Sequence, residues 1–401
     1  LPSFDRKRRL DTTLGGPICA VLNLLARVLG ALLSRDHSLR TPPRRILVIK
    51  LVGLGSIVHA TLLLRALKTR YPNASLAFLC FSEAQALVER LPDVDEVTAL
   101  DDSTYPRLLI STLRWLAGLR RRPVDLVIDL EVHSKFSTIL ATLTCARDRA
   151  GYYLVTTRFR DGLYTHLVFC NRLRHIQEAY RQLGRSVGAT PQVGQPLPAR
   201  IEDEERTRVG ELMREWGGAG RRLLVVNVNA GELCLERRWP PEQFAEVMAQ
   251  FAARPEALIV MTGSPTEAEY TNSVHQLLPP ELRERVVMAA GRLSFGEFLA
   301  LLERADVLLS NDTGPLHFAV ALGIRTVSLW GPVPPETYGP LTGEHRVHSA
   351  RVYCSPCLHW ADEPPCAGAN VCMQQIDWRA VARDVAELLG LELVLPEPAE
   401  P

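Results

Sequence analysis

The run Asp306-Val307-Leu308-Leu309-Ser310-Asn311-Asp312-Thr313-Gly314-Pro315-Leu316-His317, continuing to Gly323, holds the residues best suited to chemistry. An apolar stretch stops at Asn311-Asp312, and Pro315 falls where a first helical turn tolerates a missing N–H. The order is therefore buried strand, polar turn, helix. Backbone N–H groups of Thr313, Gly314 and Leu316, with the positive end of the helix dipole, suit a phosphate or diphosphate. Gly314 permits close approach. The plainer alternative is an ordinary strand-to-helix loop with Asp312 as its N-cap. Beyond the helix, Gly323-Ile324-Arg325 leads into a second strand over 326–330, broken by Gly331-Pro332-Val333-Pro334-Pro335. In open α/β sheets ligands sit at the carboxyl ends of strands, where two such breaks line one crevice.

Three other spacings bear on chemistry. Cys354-Ser355-Pro356-Cys357, then Cys366 and Cys372, give four thiols at a spacing that suits a tetrahedral structural site for zinc or iron, with free thiols or disulfides as alternatives. Asp93-Val94-Asp95 has the form of a metal-binding carboxylate pair but follows Pro92 between a helix end and a strand, where a solvated turn is the simpler reading. Arg120-Arg121-Arg122 offers either a phosphate-facing cluster or a solvated helix end. There is no phosphate loop ending in Gly-Lys-Ser/Thr, no His-Glu-x-x-His and no Ser-His-Asp order.

The elements that must carry these residues alternate. In a chain of 401 residues, too long for one ordinary core, two domains are expected. A formal charge of +1 argues against a nucleic-acid binder driven by overall charge. Of nine cysteines, Cys19, Cys80, Cys145, Cys170 and Cys234 lie singly in apolar segments, as reduced core thiols of a cytoplasmic protein do. No secretory signal peptide is read at the start. Residues 1–43 form a basic amphipathic extension: Arg6-Lys7-Arg8-Arg9, a helix-like apolar stretch over 18–33, then further arginines. Its apolar run, interrupted by Asn23 and Arg27, reads as too broken to span a bilayer. Docking on an anionic membrane surface, or packing on the body or a second subunit, both suit it.

A first Rossmann-like domain is expected over 44–190. It opens with a strand at 46–51, the glycine turn Val52-Gly53-Leu54-Gly55-Ser56 and a helix at 57–71. Val58 stands where the dinucleotide fingerprint has its third glycine, which weakens a nicotinamide or flavin reading. Further strands are expected at 76–81, 96–100 and 125–130, the last leading into Glu131-Val132-His133-Ser134-Lys135. A polar, proline-containing stretch over 188–198 reads as a linker. The second domain, 199–377, repeats the pattern with strands at 222–227, 257–261 and 285–289 and helices at 241–253, 266–278 and 294–305, and it includes the Cys-rich segment 354–372. Residues 378–401 supply a closing helix and a short disordered tail from 396.

Five segments in order resemble the heptosyltransferases, glycosyltransferase family nine. They are 46–67 with its Gly-Leu-Gly turn; Asn229-Ala230-Gly231 leading to Arg237-Arg238-Trp239-Pro240; Thr262-Gly263-Ser264-Pro265-Thr266-Glu267; 310–317; and Ser328-Leu329-Trp330-Gly331-Pro332. The resemblance spans about residues 44–375. It implies a GT-B fold, α/β with two Rossmann-like domains facing across a cleft. It also implies metal-independent, inverting transfer of heptose from ADP-heptose to a lipid-linked lipopolysaccharide core acceptor, with no catalytic cofactor and no nucleic-acid partner. The expected location is cytoplasmic, peripheral on the inner face of the membrane. On this resemblance Arg237 and the Thr313 and Gly314 amides meet the diphosphate, Asp312 holds donor-sugar hydroxyls, Glu267 takes the ribose hydroxyls, and His317 touches the diphosphate or caps its helix.

One departure concerns catalysis. The family's glycine turn ends in Gly-Asp, and that aspartate is taken to deprotonate the acceptor hydroxyl. Here the turn, with Gly53 on the acceptor side, ends in Gly55-Ser56, and an unactivated serine hydroxyl is no base at neutral pH. Either the base has moved, with Glu131 and His133 the nearest candidates, or Ser56 is a replacement, or the chain binds nucleotide sugar without turning it over.

Overall fold

In the computed structural model, the described residues are 4–33, 36–231, 234–358, 366 and 368–395. The chain divides into two compact units, Leu1–Ala199 and Arg200–Pro401. The disordered tail expected from 396, and His359 beside the cysteines, lie outside the described residues.

The first unit runs α1 (Phe4–Leu33), β1 (Arg45–Ile49), α2 (Leu54–Arg70), β2 (Ser75–Phe81), α3 (Gln85–Val88), β3 (Glu96–Leu100), α4 (Tyr105–Leu119), β4 (Leu126–Asp129), α5 (Lys135–Leu143), β5 (Asp148–Tyr153), β6 (His166–Phe169) and α6 (Ile176–Ser186). Its strands form one sheet in the order β3-β2-β1-β4-β5-β6, parallel throughout. β1, with Ile46, Val48 and Ile49 fully buried, lies centrally between β2 and β4. Continuous apolar runs of this kind mark strands covered on both faces. The switch in winding direction falls between β1 and β4, so their carboxyl ends open the position where doubly wound sheets bind ligands.

The second unit runs α7 (Asp203–Glu215), β7 (Arg222–Asn227), α8 (Pro241–Ala252), β8 (Ala257–Met261), α9 (Ala268–His275), α10 (Pro280–Arg283), β9 (Val286–Met288), α11 (Phe295–Arg304), β10 (Val307–Asn311), α12 (Gly314–Leu322), β11 (Arg325–Trp330), α13 (Pro335–Tyr338), β12 (His345–Ser349), α14 (Val371–Gln374) and α15 (Trp378–Leu389). Its sheet order, β12-β11-β10-β7-β8-β9, is again parallel, with the switch between β7 and β10. Each unit is thus a Rossmann-like α/β domain.

Several short elements escaped the pattern reading. β5 opens on Asp148 and Arg149, β6 has four residues and edges the sheet, and β12 (His-Arg-Val-His-Ser) is a half-polar edge strand. None shows the apolar run that marks a central strand. α1 begins fourteen residues before the apolar stretch suggested and continues through Pro17. By length and composition alone its Asp11–Gly30 portion suffices to cross a membrane. Of the two interruptions in the apolar run, Asn23 turns its amide to the carbonyl of Asp161 and Arg27 donates to Asn23 at 2.7 Å, so both make contacts within the unit.

Candidate functional site

In the first unit the glycine turn is held from below. Gly53, the N-cap of α2, has φ 88°, a left-handed conformation that favours glycine. The turn before it is fixed by Glu131, whose Oε1 accepts from Lys50 Nζ at 3.0 Å, Leu51 N at 2.8 Å and Val52 N at 3.2 Å. Lys50 and Glu131 are both buried, so the pair sits out of water and is satisfied by extra hydrogen bonds, as a buried pair must be. Beneath it lies a second network. Asp129 and Arg160 are fully buried and 3.1 Å apart; Asp129 also accepts from Ser137 Oγ at 2.8 Å and the Tyr164 hydroxyl at 2.5 Å. Burial pushes the Asp129 carboxyl up, opposed by the Arg160 guanidinium. Arg160 Nη2 in turn donates to the Glu131 carbonyl at 2.6 Å. A stiff polar floor therefore carries the loop from Glu131 to Ser134, and from it His133 reaches solvent.

Ser56 is half-buried, and its carbonyl accepts from the Tyr180 hydroxyl at 3.2 Å. One turn along α2, buried His59 lies 3.0 Å from Gln177 Nε2 and packs edge-on against the His175 ring at 5.1 Å. Lys50, His59, Gln177, Asp129 and Arg160 were all missed from sequence. A lysine closing an otherwise apolar strand, Ile-Leu-Val-Ile-Lys, was the available signal for the first of them.

In the second unit three breaks in the sheet meet. Asn311, at the end of β10 and fully buried, donates from Nδ2 to the Val228 and Asn229 carbonyls at 3.0 Å each and accepts at Oδ1 from Trp239 N at 3.1 Å. One side chain thus ties the loop after β7, the Arg237-Arg238-Trp239 segment and the start of α12. Trp239 anchors the segment: its fully buried ring meets Phe244 edge-on at 4.9 Å, and its indole N–H donates to the Ile376 carbonyl at 3.2 Å.

The N-cap of α12 is Thr313, not Asp312, and no side chain caps the helix. First-turn amides left without a side-chain cap, at the positive end of the dipole, favour an anion. Asp312 is buried. Its carboxylate lies 3.6 Å from Arg237 Nη1 and 3.5 Å from His317 Nε2, and its carbonyl accepts from Arg237 Nη1 at 3.3 Å. The Arg237 Nε is buried without a hydrogen-bond partner among the described residues. Arg237, Asp312, Thr313, Gly314 and His317 are therefore together. Glu267 stands at the end of the neighbouring β8 loop, where its Oε2 accepts from Ser264 N and Oγ, both at 2.8 Å.

The four cysteines of the 354–372 segment carry no disulfide. Burial raises the Cys357 thiol and pushes Cys372, at the start of α14, to about 11. Among the described residues no three His, Cys, Asp or Glu side chains gather as metal ligands, so the zinc or iron site that the spacing suggested is not assembled there. Cys357, Cys366 and Cys354 each add to the upward shift of Cys372, so the four thiols share one neighbourhood without forming such a ligand group among the described residues.

The model of glycosyltransferase family 9 (heptosyltransferase) matches residues 112–367. Lipooligosaccharide heptosyltransferase 2 of Haemophilus influenzae is 22% identical over 301 residues, covering 74% of this chain and 86% of that protein. Among solved structures, a glycosyl transferase family 9 protein from Veillonella parvula is similar with a TM-score of 0.71 and 23% identity, covering 86% of this chain and 97% of that one. The E. coli ADP-heptose lps heptosyltransferase II is similar with a TM-score of 0.70 and 21% identity, covering 86% and 98%. With the family model spanning well over half its length, and the uncapped helix, the glycine turn and both parallel sheets in place, the chain belongs to glycosyltransferase family 9, the heptosyltransferases.

Proposed function

We propose that the chain transfers a heptose from ADP-heptose to a lipid-linked, lipopolysaccharide-type acceptor, with inversion and without a catalytic metal. The observation that carries this reading is the uncapped start of α12 beside Arg237, whose buried Nε lacks a partner. Diphosphate oxygens supply the acceptors both groups need, and fixed donors placed where charge grows on the leaving group stabilise the transition state. Asp312, kept in place by Arg237 and His317, takes donor-sugar hydroxyls, and Glu267 takes the ribose hydroxyls with Oε1, which its capping contacts do not use.

For the base, His133 is favoured over Glu131. Glu131 is buried and spends Oε1 on Lys50 and two backbone amides, whereas His133 is exposed on a loop at the carboxyl end of β4. An imidazole titrates close to neutral pH, as a general base should. A lipid-linked acceptor places the work at the cytoplasmic side of a membrane.

Ser56 favours a second reading, nucleotide-sugar binding without turnover. A thermal-shift panel of ADP-, GDP-, UDP- and CDP-sugars followed by a transfer assay separates the two. Selective stabilisation by ADP-heptose with transfer supports the first, selective stabilisation without transfer the second, and stabilisation by another nucleotide sugar alone defeats the donor assignment.

A further inference from the structure

α1 has two unlike faces. The inner face is docked: Gly15 and Cys19 are buried, and Leu22 and Ala26 pack on the same apolar cluster as Leu140 and Ala141 of α5. A Cβ on Gly15 would stand 2.6 Å from Lys135 Cβ, so the helices approach closely. Polar contacts fix the register. Asp11 accepts from Lys135 N at 2.9 Å and Phe136 N at 2.6 Å, capping α5, and Asn23 donates to the Asp161 carbonyl.

The outer face is apolar and uncovered. Leu14, Ile18, Val21, Leu25, Val28 and Leu32 recur at steps of four and three, and each is between 44% and 76% exposed. Leu24 and Leu29 widen the stripe, and no charged residue occurs between Asp11 and Arg27. A contiguous apolar stripe of this length on a surface marks an interaction site.

Charge selects the occupant. Residues 1–45 hold nine Lys and Arg against three Asp, a net +6 in a chain whose total is +1, and all but Arg27 flank the stripe, four before it and four after. Two copies paired along it, parallel or antiparallel, would set basic flank on basic flank. An anionic lipid surface meets both flanks and the stripe together. A helix spanning the bilayer would have to give up the Asp11 and Asn23 contacts to α5 and Asp161.

We propose that α1 lies flat in the interface of an anionic phospholipid bilayer by its outer face while its inner face stays on α5. Because Asp11 caps α5 just after the Glu131–Ser134 loop, the docked helix holds that loop near the lipid surface. This rests on the lipid-linked acceptor only for its purpose; the contact itself is tested without any transfer.

The full chain is sedimented with phosphatidylcholine vesicles and with vesicles containing one-third phosphatidylglycerol, in physiological salt. Binding at least ten-fold stronger to the anionic vesicles, lost in L25E/L32E with an unchanged melting temperature, is expected. Thermal stabilisation by ADP, which reads the donor site, should be the same in this variant. Equal binding of both chains, no binding, or retention after alkaline carbonate extraction would overturn the proposal. So would a dimeric mass in light scattering that L25E/L32E makes monomeric. Binding as expected with no heptosyl transfer would leave the docking standing and remove only the proposed reaction.

Discussion

The Arg237 guanidinium reaches Asp312 twice, donating to its carbonyl at 3.3 Å and standing 3.6 Å from its carboxylate. Both contacts use Nη1, and Nε is buried without a hydrogen-bond partner among the described residues. The aspartate thereby aims the arginine.

Substituting Arg237 by alanine is expected to weaken ADP binding by about 10- to 100-fold, since a hydrogen bond to a charged group contributes ~1.5–3 kcal/mol. Lysine should recover only part of this, because it lacks the planar fork. Isothermal titration with ADP checks it. Equal affinity for the parent and R237A would remove Arg237 from the donor site.

Lys50 and Glu131 make the matching test in the first unit. E131A leaves a buried ammonium without its partner and should cost ~3–5 kcal/mol, lowering the melting temperature by roughly 10 °C. E131Q keeps an oxygen for Leu51 N and Val52 N and should retain transfer within about ten-fold. A general base contributes ~10²–10⁴-fold. Loss on that scale in E131Q, at unchanged melting temperature, would mean that Glu131 is the base after all.

Burial raises the thiols of Cys80 and Cys234 to about 12 and those of Cys19 and Cys372 to about 11. A raised thiol pKa keeps the unreactive protonated form below that pH, so at pH 8 only about one thiol in 10³ to 10⁴ is ionised. Iodoacetamide at pH 8 should therefore label exposed Cys145 ahead of these four, and the gap should narrow as pH rises toward 11. Peptide mass spectrometry reads the order. Early labelling of Cys234 would show that its loop opens.

What the sequence made legible follows from how each element is buried. Strands β7 and β8 match their expected bounds, and helix α15 begins where the closing helix was expected, because each has an uninterrupted apolar run or stripe closed by a turn or cap residue. Edge strand β12 faces partly into water and is mostly polar, so its composition resembles a loop, while β6, four residues long, is too short for its three apolar residues to stand out. At the site, the turn after β10 could be read because strand, proline and helix are contiguous. Asp129 with Arg160, and Asn311 with Trp239, are 31 and 72 residues apart, and no local pattern announces such a pair. Glu131 illustrates the limit most sharply: its position after a strand suggested a base, and nothing local in the sequence showed that its Oε1 would accept from Lys50 and two backbone amides.

Ser56 and His133 form the last test. If the imidazole removes the acceptor proton, H133A should lose about 10²–10⁴-fold in kcat, and the acid limb of the pH–rate profile should vanish with it. Placing the family's carboxylate back on the glycine turn in the same protein, S56D/H133A, should restore much of the lost rate, with a pH limb moved down to the carboxylate range near 4. Gly53 limits the substitution little, because Ser56 is half-buried and its carbonyl, not its side chain, meets Tyr180. Recovery in the double variant would show two positions able to serve one cleft. A wild-type rate in H133A would clear His133 of the role, and a gain from S56D in the otherwise unaltered chain would then mark the glycine turn as the sole place where a base works.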